Sequence, residues 1–159
     1  MLSFKKITYA LLFLVPACGF TPIYSNSTSY ELNAQIGLQE PNTQDEFIFY
    51  SYVINRFDDT DEKYILNYEI STSKEDRALN FEGTAHRVEI SGYVLFTLKD
   101  KETGAEIISD REEMYLSYSN SGSTAAILNA EKTTNKQLIT LLAEKVADRI
   151  DLAFIEKGL

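Results

Sequence analysis

The segment from Val88 to Leu98 constrains the fold more than any other part of the chain. Apolar and polar residues alternate through it, and one side carries Val88, Ile90, Gly92, Val94, Phe96 and Leu98. A period of two predicts a β-strand with one buried face and one solvated face. Such a strand needs neighbouring strands and a second layer of structure on its apolar side. The rest of the chain therefore has to supply a sheet and the helices that cover it.

The residues before this strand predict two more strands and a helix. Tyr30–Leu38 and Tyr64–Ile70 both alternate with period two. Between them, Thr43 followed three residues later by Glu46 is a capping box, which predicts a helix over Thr43–Phe57. The run Phe47–Tyr52 is so aromatic that a strand is the alternative for that stretch.

The residues after Ile70 predict a loop, two more strands and a long helix. Lys74–Gly83 is polar and indicates a long hairpin loop, and Glu106–Tyr118 indicates a returning strand with a bulge around Asp110–Glu112. Thr124–Lys157 has helical periodicity. Its apolar stripe comprises Leu138, Leu142, Val146, Ile150 and Phe154, widened by Ile139, Ala143 and Ala147. The predicted fold is α+β, a two-layer sandwich of β-α-β-β-β-α order, with a four-stranded sheet and both helices on one face; it occupies residues 30–159 as a single domain.

The N-terminal residues predict export and a lipid anchor. Lys5 and Lys6 precede a nine-residue apolar run, Ile7–Val15, which has the length of a signal-peptide core and is too short to span a bilayer. The following Val-Pro-Ala-Cys-Gly resembles a bacterial lipobox whose invariant cysteine is Cys18. Residues 1–17 are then a lipoprotein signal peptide and residues 18–29 a lipidated tether. The alternative is a plain secretory signal, with Cys18 an ordinary thiol.

The lipobox resemblance implies an anchor and an address. Cys18 would carry a diacylglycerol and an N-linked acyl chain, such as palmitate, and more than one chain gives stable anchoring. The residue after it is Gly19 rather than Asp. A glycine there resembles the outer-membrane address of Gram-negative lipoproteins, with the domain on the periplasmic side.

Composition excludes several functional classes. The chain carries 24 acidic and 15 basic residues, a net charge of −9, and phosphate backbones repel such a chain, so no nucleic-acid partner is expected. One Cys and one His leave no cysteine-pair or histidine-cluster metal site. No nucleotide-binding, hydrolase or metalloprotease motif is found. We expect no enzyme, no catalytic residue, no metal and no cofactor beyond the lipid on Cys18.

The two ends of the chain carry a resemblance to a known family. Cys18–Tyr24 resembles the Cys-Gly-Phe-x-Pro-Leu-Tyr start of the lipopolysaccharide-assembly lipoprotein LptE in α-proteobacterial lineages. The C-terminal part is similar through Tyr115, Tyr118, Ser119–Ser123, Ala126, Glu131 and the long helix after them. The resemblance implies an outer-membrane lipoprotein that plugs the large β-barrel LptD, assists its assembly and helps deliver lipopolysaccharide to the cell surface. A lipoprotein serving as accessory binding subunit of an intermembrane lipid transporter is the alternative.

Two sets of side chains are candidates for contacts. Arg87 and Lys99 lie on the polar side of the central strand, and with Arg111 on the next strand they could touch the anionic head group of lipopolysaccharide. Three tyrosines, Tyr93, Tyr115 and Tyr118, are candidates for the barrel interface, because a phenol ring has an apolar body and a polar tip. The alternative for these tyrosines is that they fill the core of a chain without tryptophan.

Overall fold

A mixed four-stranded sheet underlies the fold. The computed structural model describes residues 36–57, 62–79 and 85–158. The predicted signal peptide, Cys18, the predicted tether and residues 30–35 of the first predicted strand lie outside the described residues. In chain order the elements are β1 Ile36–Leu38, α1 Gln44–Phe57, β2 Tyr64–Leu79, β3 Ala85–Asp100, β4 Glu106–Ser119 and α2 Thr124–Lys157.

The strands stand in the sheet in their order along the chain, β1-β2-β3-β4. β1 runs parallel to β2, with Ile36 opposite Tyr64, because α1 carries the chain back between them. β2, β3 and β4 form an antiparallel meander. This confirms the predicted α+β fold and its β-α-β-β-β-α order.

The aromatic run Phe47–Tyr52, for which a strand was the alternative prediction, lies within helix α1 and is helical throughout. Thr43 Oγ1 accepts a hydrogen bond from the Glu46 N–H at 3.2 Å, and Glu46 Oε2 accepts one from the Asn42 N–H at 2.6 Å. The cap thus satisfies backbone donors that a helix start leaves free. Phe49 points from this helix to the sheet, where its ring centroid lies 4.6 Å from that of Tyr68.

Helix α2 covers β3 and β4 along 34 residues, with the predicted bounds. It begins after Ser123, whose Oγ accepts a hydrogen bond from the Ala126 N–H, and it ends at Gly158 in the left-handed conformation, φ +67°. All eight residues of the predicted stripe are buried. No helix in the described part of the chain is both long and apolar enough to cross a bilayer.

Both helices lie on the same face of the sheet. Phe49 of α1 contacts Tyr68, and Phe154 of α2 contacts Tyr64. The two tyrosines are four positions apart on β2, an even spacing, and so point to the same side of the sheet. Gly92 of β3 faces this layer too, beneath the side chains of Leu138 and Leu142. The predicted two-layer arrangement is therefore confirmed.

Two local predictions were wrong. Residues 74–79 of the predicted hairpin loop Lys74–Gly83 continue β2, paired with β3 from Ile90 to Ala85. The predicted bulge at Asp110–Glu112 is absent, because the ladder between β3 and β4 runs without a break there. The register shifts instead where Leu98 pairs with Ile108 and Lys99 with Glu106, which leaves Ile107 as the extra residue.

Candidate interaction surface

The face of the sheet away from the helices has no covering layer among the described residues. Side chains on it bond to one another across neighbouring strands. The Ser73 and Ser91 hydroxyls are 2.8 Å apart, and those of Thr97 and Ser109 are 3.0 Å apart. We call this the open face.

The middle of the open face holds an aromatic patch, formed by Tyr93, Leu95, Arg111 and Tyr115. The guanidinium carbon of Arg111 lies 4.1 Å from the ring centroid of Tyr93, a cation–π contact, and its Nη2 lies 3.2 Å from Glu113 Oε2. Tyr115 is 71% exposed and Leu95 41% exposed. The patch therefore combines an ordered cation with apolar surface that nothing in the described chain covers.

The three basic residues predicted to contact lipopolysaccharide all lie on the open face but far apart. Arg87 donates a hydrogen bond from Nε to Ser117 Oγ at 2.8 Å, near the start of β3. Lys99 lies twelve residues further along the same strand, about 40 Å away at roughly 3.3 Å per residue. Arg111 pairs with Leu95, between the two. No single phosphate group could contact all three.

The third predicted interface tyrosine lies on the other side of the sheet. Tyr118 is 7% exposed in the core, and its hydroxyl donates to Glu131 Oε2 at 3.2 Å. Burial, and then the hydrogen bond to Glu131, raise the pKa of Tyr118. The hydrogen bond from Lys74, at 2.8 Å, lowers the pKa of Glu131. Tyr118 therefore fits the alternative prediction of a core tyrosine, and the aromatic patch retains Tyr93 and Tyr115.

A second surface was not predicted from the sequence. A groove of about 610 Å³ lies between α1, β2 and α2, and its lining includes Lys74, Lys132 and Lys136; we call it the lysine groove. One signal in the sequence could have found part of it. Leu128, Lys132 and Lys136 are spaced by four residues and so share one face of a helix.

Across residues 36–57, 62–79 and 85–158 there is no group of three or more His, Cys, Asp or Glu side chains that could hold a metal ion. The predicted acylation site Cys18 lies outside these residues, and the structure gives it no geometry.

Comparison with known proteins identifies the fold. By sequence, the chain matches no family model and no curated protein. By structure, it is similar to rare lipoprotein B from Shewanella oneidensis, with a TM-score of 0.63, 11% identity and coverage of 79% of this chain and 98% of that one. A Caulobacter crescentus protein described provisionally as a lipoprotein gives a TM-score of 0.63 with 17% identity, covering 83% of this chain and 97% of that one. A minor lipoprotein from Acinetobacter baumannii gives a TM-score of 0.54 with 19% identity, covering 74% of this chain and 88% of that one. The chain has the α+β fold of these lipoproteins.

Proposed function

We propose that this protein is an outer-membrane lipoprotein that plugs an LptD-like β-barrel and assists its assembly for lipopolysaccharide transport. The observation that carries the proposal is the open face with its aromatic patch, on a domain whose fold is that of known lipoproteins. The resemblance of Cys18–Tyr24 and of the C-terminal loop and helix to LptE supports the same function.

The open face suits a partly hydrated interface. Its hydroxyl pairs are already bonded within the sheet, so a partner does not have to satisfy them. Tyr115 and Leu95 offer exposed apolar surface, and aromatic residues and arginine are enriched where proteins meet. Arg111 is held over Tyr93 before any partner arrives, which lowers the entropy lost on binding.

The anchor in this proposal is acylated Cys18, which would hold the domain on the periplasmic side of the outer membrane. Cells fed an alkyne fatty acid should label the parent protein and leave the Cys18→Ala variant unlabelled. Equal labelling of both would show that the anchor is not at this residue.

Depletion and cross-linking test the plug. Depletion should lower the amount of assembled barrel and the surface lipopolysaccharide together. A photo-crosslinker replacing Tyr93 or Tyr115 should trap a large β-barrel protein. Unchanged barrel and surface lipopolysaccharide on depletion, with adducts only to soluble periplasmic proteins, would refute the function.

A further inference from the structure

We propose that the lysine groove binds an acidic, partly apolar peptide segment of a partner protein. Lys132 and Lys136 would meet its carboxylates, and Leu128 would contact its apolar side chain. The identity of the partner as the barrel rests on the proposed function. The groove itself is argued from its own shape, charge and polar groups.

The groove has an apolar floor between elements of both layers. Ile48 of α1 and Ile90 of β3 line it, and Leu128 of α2 stands at its edge. Ile90 is 4% exposed, whereas Leu128 is 61% exposed. Leu128 is thus a large apolar side chain that the described part of the fold leaves in water, beside a cavity of about 610 Å³.

The charge of the groove is opposite to that of the whole chain. Lys132 and Lys136 are exposed, and neither forms an ion pair with any residue that the structure describes. Placed one turn apart, they repel each other, which weakens a helix slightly unless a counter-charge is supplied. The lining includes one carboxylate, Glu131, and that group is already bonded to Lys74 and Tyr118. In a chain of net charge −9, two adjacent lysines without a partner mark a place for an external anion.

The other groups of the groove favour a peptide over a lipid. Three apolar side chains can bury one residue of leucine or phenylalanine size, whereas the roughly dozen methylenes of a lipid acyl chain would need a longer apolar cover. Gln44 and Asn135 also line the groove, and amides suit the N–H and C=O groups of a peptide backbone. Asn135 Nδ2 donates to Asp45 Oδ1 at 2.8 Å, which fixes the orientation of its amide.

Cross-linking in cells tests the proposal on the full chain. A photo-crosslinker replacing Leu128 should form an adduct with the barrel, and mass spectrometry should map it to a segment with at least two Asp or Glu residues. Lys132→Gln with Lys136→Gln should lower both the adduct and the co-purified barrel about tenfold, the effect of losing two contacts of ~0.7 kcal/mol each.

The matched control changes the charge by the same amount off the groove. Thr133→Glu with Gln137→Glu alters two exposed positions on the same two turns of α2 and should change the adduct less than about twofold. A charge swap completes the test. With Lys132→Glu and Lys136→Glu, replacing the mapped acidic residues of the partner by lysine should restore the adduct.

The outcomes separate this inference from the proposed function. The inference about the lysine groove is wrong if position 128 forms no adduct, or forms one only with lipid or only with a second copy of this chain. This holds even when a crosslinker at position 115 traps the barrel. An equal loss in the matched control overturns the inference as well. If depletion leaves the barrel unchanged, the proposed function falls. The groove then still stands if position 128 traps an acidic segment of another protein, is lost in the double Lys→Gln variant and is regained by the charge swap.

Discussion

Replacing Leu142 by alanine should destabilise the domain by about 2–5 kcal/mol. The side chain is fully buried between α2 and β3, and its Cδ1 lies 3.3 Å from the position that a Cβ on Gly92 would take. Alanine lacks three of its carbons, worth about 0.8 kcal/mol each, and the cavity left behind adds to this cost. Urea denaturation followed by circular dichroism measures this change in the free energy of unfolding. An unchanged slope of that free energy against urea concentration would show that the denatured state is unaffected.

The same helix offers a matched control. Leu152 is 49% exposed, so Leu152→Ala deletes the same atoms with about half the loss of burial and should cost only about 1 kcal/mol. Similar losses at the two positions would refute the assignment of the buried face of α2.

Gly92 allows the packing to be tested a second way. A methyl group there would lie 3.3 Å from Leu142 Cδ1 and 3.1 Å from Leu138 Cδ2, closer than comfortable contact. With Leu142→Ala in place, the methyl group of Gly92→Ala would partly fill the vacated space. The double variant should therefore be more stable than the sum of the single effects predicts, and strict additivity would contradict the close approach of α2 to β3.

Three further predictions concern the cap and the titrating groups. Thr43→Ala should cost about 1 kcal/mol by removing the acceptor for the Glu46 N–H, and chemical denaturation measures it; no change would show that the cap is dispensable. Burial is the main reason that the pKa of Tyr68 is raised to about 12, so its contribution to stability is complete below pH 10 and is lost as pH rises towards 12. Tyr68→Phe should therefore lose less melting temperature than the parent protein between pH 10 and pH 12. An equal loss of melting temperature in the two proteins would contradict this. Hydrogen bonds from the backbone N–H of Arg111 and the side chain of Arg149 lower the pKa of Asp110. Its contribution to stability is therefore present above pH 3.8 and is lost as pH falls below that value. In Asp110→Asn the melting temperature should fall less at acid pH than in the parent protein, and an equal fall would contradict the interaction.

Where one face is buried, the alternation of residues predicted the structure well. β3 has apolar residues under α2 and, apart from Leu95, polar or tyrosine side chains on the open face, so the residues of each face followed from its pattern. The stripe on α2 was predictable for the same reason, because a long helix with one apolar side has only one face to bury. The aromatic run of α1 could not be assigned from pattern alone, since aromatic residues favour strands while the cap at Thr43 favours a helix.

The wrong predictions fall where neither face supplies a pattern. Residues 72–77 of β2 are exposed, and on the open side Arg77 forms ion pairs with Glu75 at 3.1 Å and Glu89 at 3.2 Å. A solvated strand of this kind has the composition of a loop.

On β4 the helix-facing positions include acidic residues. Asp110 is 2.9 Å from Arg149, and Glu112 is 3.4 Å from Lys145, so the two pairs join the edge of the sheet to α2. These charged residues interrupt the alternation of apolar and polar residues, which is why a bulge was predicted there.

The candidate surfaces were predictable only in part. The polar side of β3 and the candidate Tyr93 followed from alternation. The prediction placed Tyr118 with Tyr115 at the interface, although they are three positions apart, an odd spacing that puts them on opposite faces of a strand without a bulge. The lysine groove depends on how α1 and α2 approach β2, and no local pattern contains that information.

Co-purification from detergent-solubilised outer membranes tests the central claim most directly. The tagged, acylated protein should bring down a large β-barrel in equal amount, and Tyr115→Ala with Leu95→Glu should reduce that yield on a domain that still melts normally, because both side chains are exposed. Recovery of the protein alone, or with components of an intermembrane lipid transporter in place of the barrel, would contradict the plug.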